Sequence, residues 1–419
     1  MRDNEKLLNE LIASLDLPDS AYEKAVKRYE DIGEWLGREE SECAENDPHI
    51  FPQGSFRLGI AIKPLSGEEE YDLDLACNLR SGVDSSSHSQ KELKTLIGFE
   101  LERYRQARNI KKELDEKHRC WRLEYADSLN FHMDIVPCIP QSEIQKKSLA
   151  KAMTSYGISE SFAEQASDLA VGITDDRHTN YNKRVSDWMI SNPEGYARWF
   201  ENRMNTAQLL KAACESAQVD EVPIYKQKTP LQRVVQILKR HRDQMFVDNQ
   251  DSKPISVIIT TLSARAYTGA SSLELALKDV LNGLMEFVQS DSNQVLNPVN
   301  PQENFADRWA MPAYKHLELK QNFHLWVYQV NRDFEFILSS NELELISESI
   351  GGNLAVTMEK SALSSMLAKF LLVQRQHTLL TLFQNQYPNL GAKDEVKFAN
   401  RRPGRVFETK PTYESCSDR

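Results

Sequence analysis

Leu7, Leu8, Leu11, Ile12 and Leu15 recur at the 3.6-residue period of an amphipathic helix, which the spacing predicts to break at Leu17-Pro18. Asp19-Ser20 then reads as the cap of a second helical stretch from Ala21 to Leu36. Around residue 49 the texture changes to shorter runs with strand character: Tyr71 to Leu79, Trp121 to Tyr125 and Asn130 to Ile139. A helix is predicted between them, from Glu92 to Arg108. From about residue 141 the pattern is mainly helical. Thr229 to Phe246 carries a clear start, with Thr229 as N-cap and Pro230 at the first helical position. Leu231, Val234, Val235, Leu238 and Met245 predict a buried stripe there, with Gln232, Gln236, Lys239 and Asp243 on another face. A further helix is predicted from near Pro254 through Tyr267. Asn297-Pro298-Val299-Asn300-Pro301 reads as a rigid, turn-rich loop.

These patterns divide the chain into an N-terminal helical spine (1–48), a mixed-strand lobe (49–150), a larger helical lobe (151–390) and a flexible tail (391–419) without periodicity. The expected class is α+β.

Length and composition fit this outline. A chain of 419 residues with 40% hydrophobic and 27% charged residues is long enough for several structural units with real cores. Its 51 basic and 62 acidic residues leave a net charge of −11, which disfavours a surface that coats duplex nucleic acid through many phosphate contacts. The six cysteines, at positions 43, 77, 120, 138, 214 and 416, form no C-x-x-C pair and no zinc-ligand spacing. Cys120 and Cys138 are placed to meet across neighbouring strands, where they read as small buried apolar residues. With no apolar signal core and no membrane-length apolar run, the expectation is a reduced, cytoplasmic protein with no membrane partner.

The candidate chemistry lies in Gln53-Gly54-Ser55-Phe56-Arg57 followed by Tyr71-Asp72-Leu73-Asp74-Leu75. Side chains at i and i+2 of a strand share a face, so Asp72 and Asp74 present adjacent carboxylates that repel each other without a counter-charge. Mg2+, a hard cation that prefers oxygen ligands and bridges to phosphates, resolves that repulsion. Asp134 sits in the apolar run Phe131 to Val136, sharing a face with His132 and Val136, where an unpaired charge is costly. Together the three aspartates suit a two-metal site for phosphoryl transfer. Gly54 permits close backbone approach to a phosphate and Ser55 supplies a hydroxyl. Arg57 reads equally as an electrostatic aid or as a salt bridge within the fold. His132 reads as a core or supporting residue.

Gln53-Gly54-Ser55, Asp72-x-Asp74 and Asp134 resemble the nucleotidyltransferase signature of the polymerase-beta-like superfamily. The stretches Thr229 to Asp243, Asn297 to Trp309 and Trp188 to Phe200 narrow the resemblance to the bacterial cGAS/DncV-like nucleotidyltransferases (CD-NTases), the cyclic oligonucleotide synthases of CBASS anti-phage defence. The resemblance covers roughly residues 20–340. It implies a two-lobed enzyme with its active site in the cleft, two Mg2+ (for which Mn2+ substitutes) on Asp72, Asp74 and Asp134, and a donor triphosphate at Gln53, Gly54 and Ser55. By position, Lys239 resembles the family's triphosphate-contacting lysine, and Ser256 a nucleotide-contacting serine at the next helix start.

The implied product is a cyclic di- or trinucleotide made from nucleoside triphosphates, ATP among them, with release of pyrophosphate. The implied partners are a cyclic-nucleotide-activated effector and a regulatory protein. A single-step transferase acting on RNA, protein or a small molecule, and a catalytically silent nucleotide-binding regulator, are the alternatives. Three intact aspartates disfavour the silent regulator. Duplex activation is not expected, because the basic clusters, such as Lys239-Arg240-His241-Arg242, are short.

Overall fold

The computed structural model describes residues 4–65, 71–125, 131–204, 228–340 and 343–356. The expected tail, Cys214 and Cys416 lie outside these residues. The centre of the fold is a mixed sheet built from β1 (Pro48–Pro52), β2 (Tyr71–Leu79), β3 (Asp115–Glu116), β4 (Trp121–Tyr125) and β5 (Phe131–Pro140), in the order β1-β2-β5-β4-β3. The strand β6 (Val171–Ile173) pairs with the last residues of β5, Cys138 to Pro140, and β7 (Met189–Ser191) pairs with β6. β2 and β5 run parallel, and their register sets Asp72 beside His132 and Asp74 beside Asp134. The other neighbours are antiparallel.

Strict alternation explains β2 and β5. Leu73, Leu75, Phe131, Met133 and Ile135 are all buried on one face of the sheet, each contributing roughly 1.5–3 kcal/mol against exposure. The polar positions between them therefore point to the other face. β1, which the sequence pattern did not predict, pairs with β2 at the sheet edge, Phe51 opposite Ala76.

The helices follow in chain order: α1 (Asn4–Leu15), α2 (Asp19–Gly37), the single turn α3 (Gly54–Arg57), α4 (Gln90–Ala107), α5 (Glu143–Ser155), α6 (Glu160–Asp168), α7 (Pro193–Arg203), α8 (Pro230–Met245), α9 (Ser256–Ala266), α10 (Leu273–Gln289), α11 (Leu319–Ser339) and α12 (Leu343–Leu354). α2 and α4 cover the apolar face of the sheet. α1 packs instead on α8 and α10, so the two helices of the expected spine serve different neighbours. Asp19 is the first residue of α2 rather than its cap, since Pro18 takes the extended N-cap conformation.

Three further expectations are corrected. Residues 297–301 form a hairpin between β8 (Leu296–Asn297) and β9 (Asn300–Asn304), because Pro298-Val299 supplies a turn of two residues. Met245 is 41% exposed at the end of α8, beyond the reach of the stripe it was assigned to. On the polar face of α8, Gln232, Gln236 and Lys239 are also buried. Cys138 lies against Cys77, its thiol directed at the Cys77 carbonyl at 3.4 Å, rather than against Cys120. Cys43, Cys77 and Cys138 are free and buried.

Candidate active site

The turn after β1 is fixed by the strand beside it. Gln53 caps α3 in an extended conformation, its amide donating to the Asp74 carbonyl at 2.8 Å and its side-chain amide to the Leu75 carbonyl at 3.3 Å. The Gln53 side chain thus ties the turn to β2. Gly54 follows with φ +66°, and a Cβ there would stand 2.2 Å from Asp74 Oδ2. Only glycine meets both demands without strain. Ser55 lines the cleft with Gly54. Arg57 does not behave as a free electrostatic aid. Its Nε and Nη2 donate to Glu194 at 3.0 and 2.8 Å and its Nη1 to Glu201 at 2.6 Å, so its charge is spent on tying the turn to α7.

Asp72, Asp74 and Asp134 come together on the polar face of β2 and β5, as the alternation required. Their partners differ. Asp72 Oδ1 accepts from His132 Nε2 at 2.8 Å. Asp134 takes both Nε and Nη2 of Arg122 at 2.7 Å. Asp74 faces Gly54. The donor atoms lying within 4.8 Å of one another belong to Asp72, His132 and Asp134, so His132 is part of the cluster rather than of the core.

The electrostatics follow from this crowding. Burial, then the charges of Asp72 and Asp134, push Asp74 up to about 8. Burial acts upward on Asp72 as well, but the His132 hydrogen bond and the charges of His132, Arg122 and Lys239 hold it below the ordinary carboxylate value. A carboxylate raised first by burial and then by two anionic neighbours stands where added positive charge is favourable. The oxygen donors and their negative field therefore fit a hard divalent cation.

The opposite wall is α8. Gln232 donates to the Leu58 carbonyl at 2.9 Å, Gln236 to Ala61 at 2.8 Å and Lys239 to Ile60 at 3.0 Å, and Arg240 bonds the Lys63 carbonyl. Residues 58–63 have no helix or strand of their own, so these side chains satisfy carbonyls that would otherwise be buried unpaired. The helix start is secured by a full capping box between Thr229 and Gln232. Lys239 lines the cleft, where burial and then Arg242 lower its ammonium to about 8. Ser256, the first residue of α9, also lines it and accepts from Arg242 Nη1 at 3.1 Å.

The hairpin β8–β9 closes the far side with Asn297, Glu303 and Phe305. Asn297 donates to Glu303 at 2.7 Å, and burial raises the Glu303 carboxyl above its ordinary range. The whole cleft encloses about 540 Å³, within the range of small-molecule sites.

Of the nine residues singled out in the sequence, Gly54, Ser55, Arg57, Asp72, Asp74, Lys239 and Ser256 line this cleft, whereas Gln53 and Asp134 are not among its lining residues. Arg122 and the active-site place of His132 were missed. His132 had a visible signal, its shared face with Asp134. Arg122 had none, since its partner is set by strand register.

The family model of the cyclic GMP-AMP synthase DncV-like nucleotidyltransferase domain matches residues 48–137, from the start of β1 to the Asp134 segment of β5. Over those residues, less than half of the chain, the resemblance is to the DncV-like nucleotidyltransferases. The chain is 29% identical over 332 residues to the c-di-GMP synthase of Roseivirga ehrenbergii, covering 76% of this chain and 77% of that protein. It is 22% identical over 340 residues to the cyclic dinucleotide synthase CdnG of Bradyrhizobium diazoefficiens, covering 76% and 73%. The structure of that CdnG in complex with GTP superposes with a TM-score of 0.58 at 20% identity over 87% of this chain and 98% of the other, which establishes a shared fold. Among the described residues no helix is long and apolar enough to cross a membrane.

Proposed function

We propose that this chain is a DncV-like nucleotidyltransferase that joins nucleoside triphosphates into a cyclic dinucleotide signal, with GTP among its substrates and anti-phage defence as its setting. The observation that carries the reading is the placement of Asp72 and Asp74 in one cleft with the Gly54-Ser55 turn, with Asp134 the register partner of Asp74 on the neighbouring strand. The likeness to a c-di-GMP synthase favours a cyclic guanine-containing product over a trinucleotide. A downstream effector and a regulatory partner belong to the same reading by family likeness.

Asp72, Asp74 and Asp134 would hold the divalent cations, Mg2+ or Mn2+. Bound there, such ions stabilise the developing charge on the attacking and leaving oxygens. The chain supplies the rest. Gly54, without a side chain, lets the turn approach the triphosphate, and the Ser55 and Ser256 hydroxyls and the Lys239 ammonium donate to its oxygens. The ribose hydroxyl of a second nucleotide attacks the α-phosphorus, the bond to the β-phosphate oxygen breaks, and pyrophosphate leaves. Asp134 is the carboxylate assigned to take the hydroxyl proton. A second transfer within the linear intermediate closes the ring.

The test is incubation with labelled ATP, GTP, CTP and UTP and Mg2+, followed by phosphatase. A phosphatase-resistant product, absent from the Asp72→Asn, Asp74→Asn variant, is expected. Label appearing only on added RNA or protein would replace this reading with a single-step transferase.

A further inference from the structure

Arg122 and Asp134 are register partners across β4 and β5. The guanidinium meets the carboxylate fork to fork, Nε to Oδ1 and Nη2 to Oδ2, both at 2.7 Å. This is the strongest arrangement open to the two groups. Their side chains are 27% and 16% exposed, so water screens the pair only in part. Both oxygens that a cation would use on Asp134 are therefore already neutralised. A divalent ion drawn to them would also sit within a few ångströms of a fixed positive charge, in a pocket of lowered dielectric.

We propose that Arg122 is a positioning residue that withholds Asp134 from divalent cations in the nucleotide-free protein. The inference rests on the reading of Asp72, Asp74 and Asp134 as cation ligands. Its consequence is ordered loading. The first cation finds Asp72 and Asp74, whereas full use of Asp134 requires the guanidinium to give way, and the incoming triphosphate supplies the negative charge that makes this favourable. The enzyme is thereby kept from assembling a complete cation site without substrate. A purely structural Arg122 would have the opposite signature, because its loss would loosen Asp134 and weaken cation binding.

Mn2+ binding to the nucleotide-free full chain, measured by the loss of the free-ion electron paramagnetic resonance signal, separates the two. Arg122→Gln is expected to bind Mn2+ more tightly than the wild type, by about tenfold, the factor that about 1.4 kcal/mol of relieved repulsion gives. Arg122→Lys, which keeps the charge but loses the fork, is expected to fall between them, and it carries the test if the Gln variant loses its cooperative thermal transition. Equal or weaker binding by the folded Arg122 variants, alongside wild-type binding that Asp74→Asn abolishes, would overturn the role of Arg122 alone. Binding that survives both Asp74→Asn and Asp134→Asn, or none in any form, would overturn the cation-ligand reading and this inference with it.

Discussion

Gly54 and Asp74 are locked by sterics: with Gly54 at φ +66°, any Cβ would stand 2.2 Å from Asp74 Oδ2. The turn and the central carboxylate therefore cannot be changed independently. Gly54→Ala is expected to incur about 1–2 kcal/mol of left-handed strain and to displace Asp74. Activity should fall by at least a hundredfold while the thermal transition drops by only a few degrees. Activity within a few-fold of wild type would show that the turn tolerates the added methyl.

The raised carboxyl of Asp74 gives metal-free stability a defined pH dependence. In the fold it titrates near 8, against an ordinary 3.8. Between those values the folded chain holds a proton that the unfolded chain has lost, so this contribution is complete below about 3.8 and disappears as pH rises through 8. Thermal unfolding in EDTA should weaken from pH 5 to pH 8.5, with a smaller slope in Asp74→Asn. Added Mg2+ should stabilise the wild type more at pH 8 than at pH 6. An unchanged slope in Asp74→Asn would contradict this account.

Arg57 is assigned to holding the fold. Arg57→Met takes the guanidinium away from Glu194 and Glu201, each 15% exposed at the side chain, with Glu194 keeping its contact to Arg198 at 3.5 Å, at a cost of about 3 kcal/mol. Urea denaturation should show that loss, and Arg57→Met combined with Glu194→Gln should recover part of it. A variant of wild-type stability with weakened GTP binding would return Arg57 to the ligand.

The polar face of α8 is expected to act as a clamp. Gln236→Leu removes the donor that serves both the Ala61 carbonyl and Asp16, a loss of about 1–3 kcal/mol. Hydrogen exchange should quicken at the Ile60 and Lys63 amides, which bond the Ser55 and Leu15 carbonyls. Unchanged exchange there would mean that residues 58–63 hold their path without α8.

Much of this site was legible because it depends on local periodicity. The alternation of Leu73 and Leu75 with Asp72 and Asp74 leaves one arrangement once the leucines are buried, and Phe131, Met133 and Ile135 impose the same choice on Asp134. Thr229 and Pro230 announced the start of α8 for an equally local reason, the satisfaction of orphan amides in its first turn. β1, the β8–β9 hairpin and the buried state of Gln232, Gln236 and Lys239 escaped. A strand of five residues or a hairpin rich in proline has little period of its own, and a polar helix face looks solvated until a neighbouring backbone is known to need donors.

The sequence by itself determined the ordered set of Gly54, Ser55, Asp72, Asp74 and Asp134 and the strand faces that carry the aspartates, because the two-residue period of a strand is built into the chain. Tertiary structure alone decided which charges those residues meet. It set Arg122 against Asp134, His132 against Asp72 and Arg57 against Glu194 and Glu201. Such pairings join residues distant in sequence or on neighbouring strands, and only strand register and helix packing bring their atoms within the few ångströms over which a hydrogen bond acts.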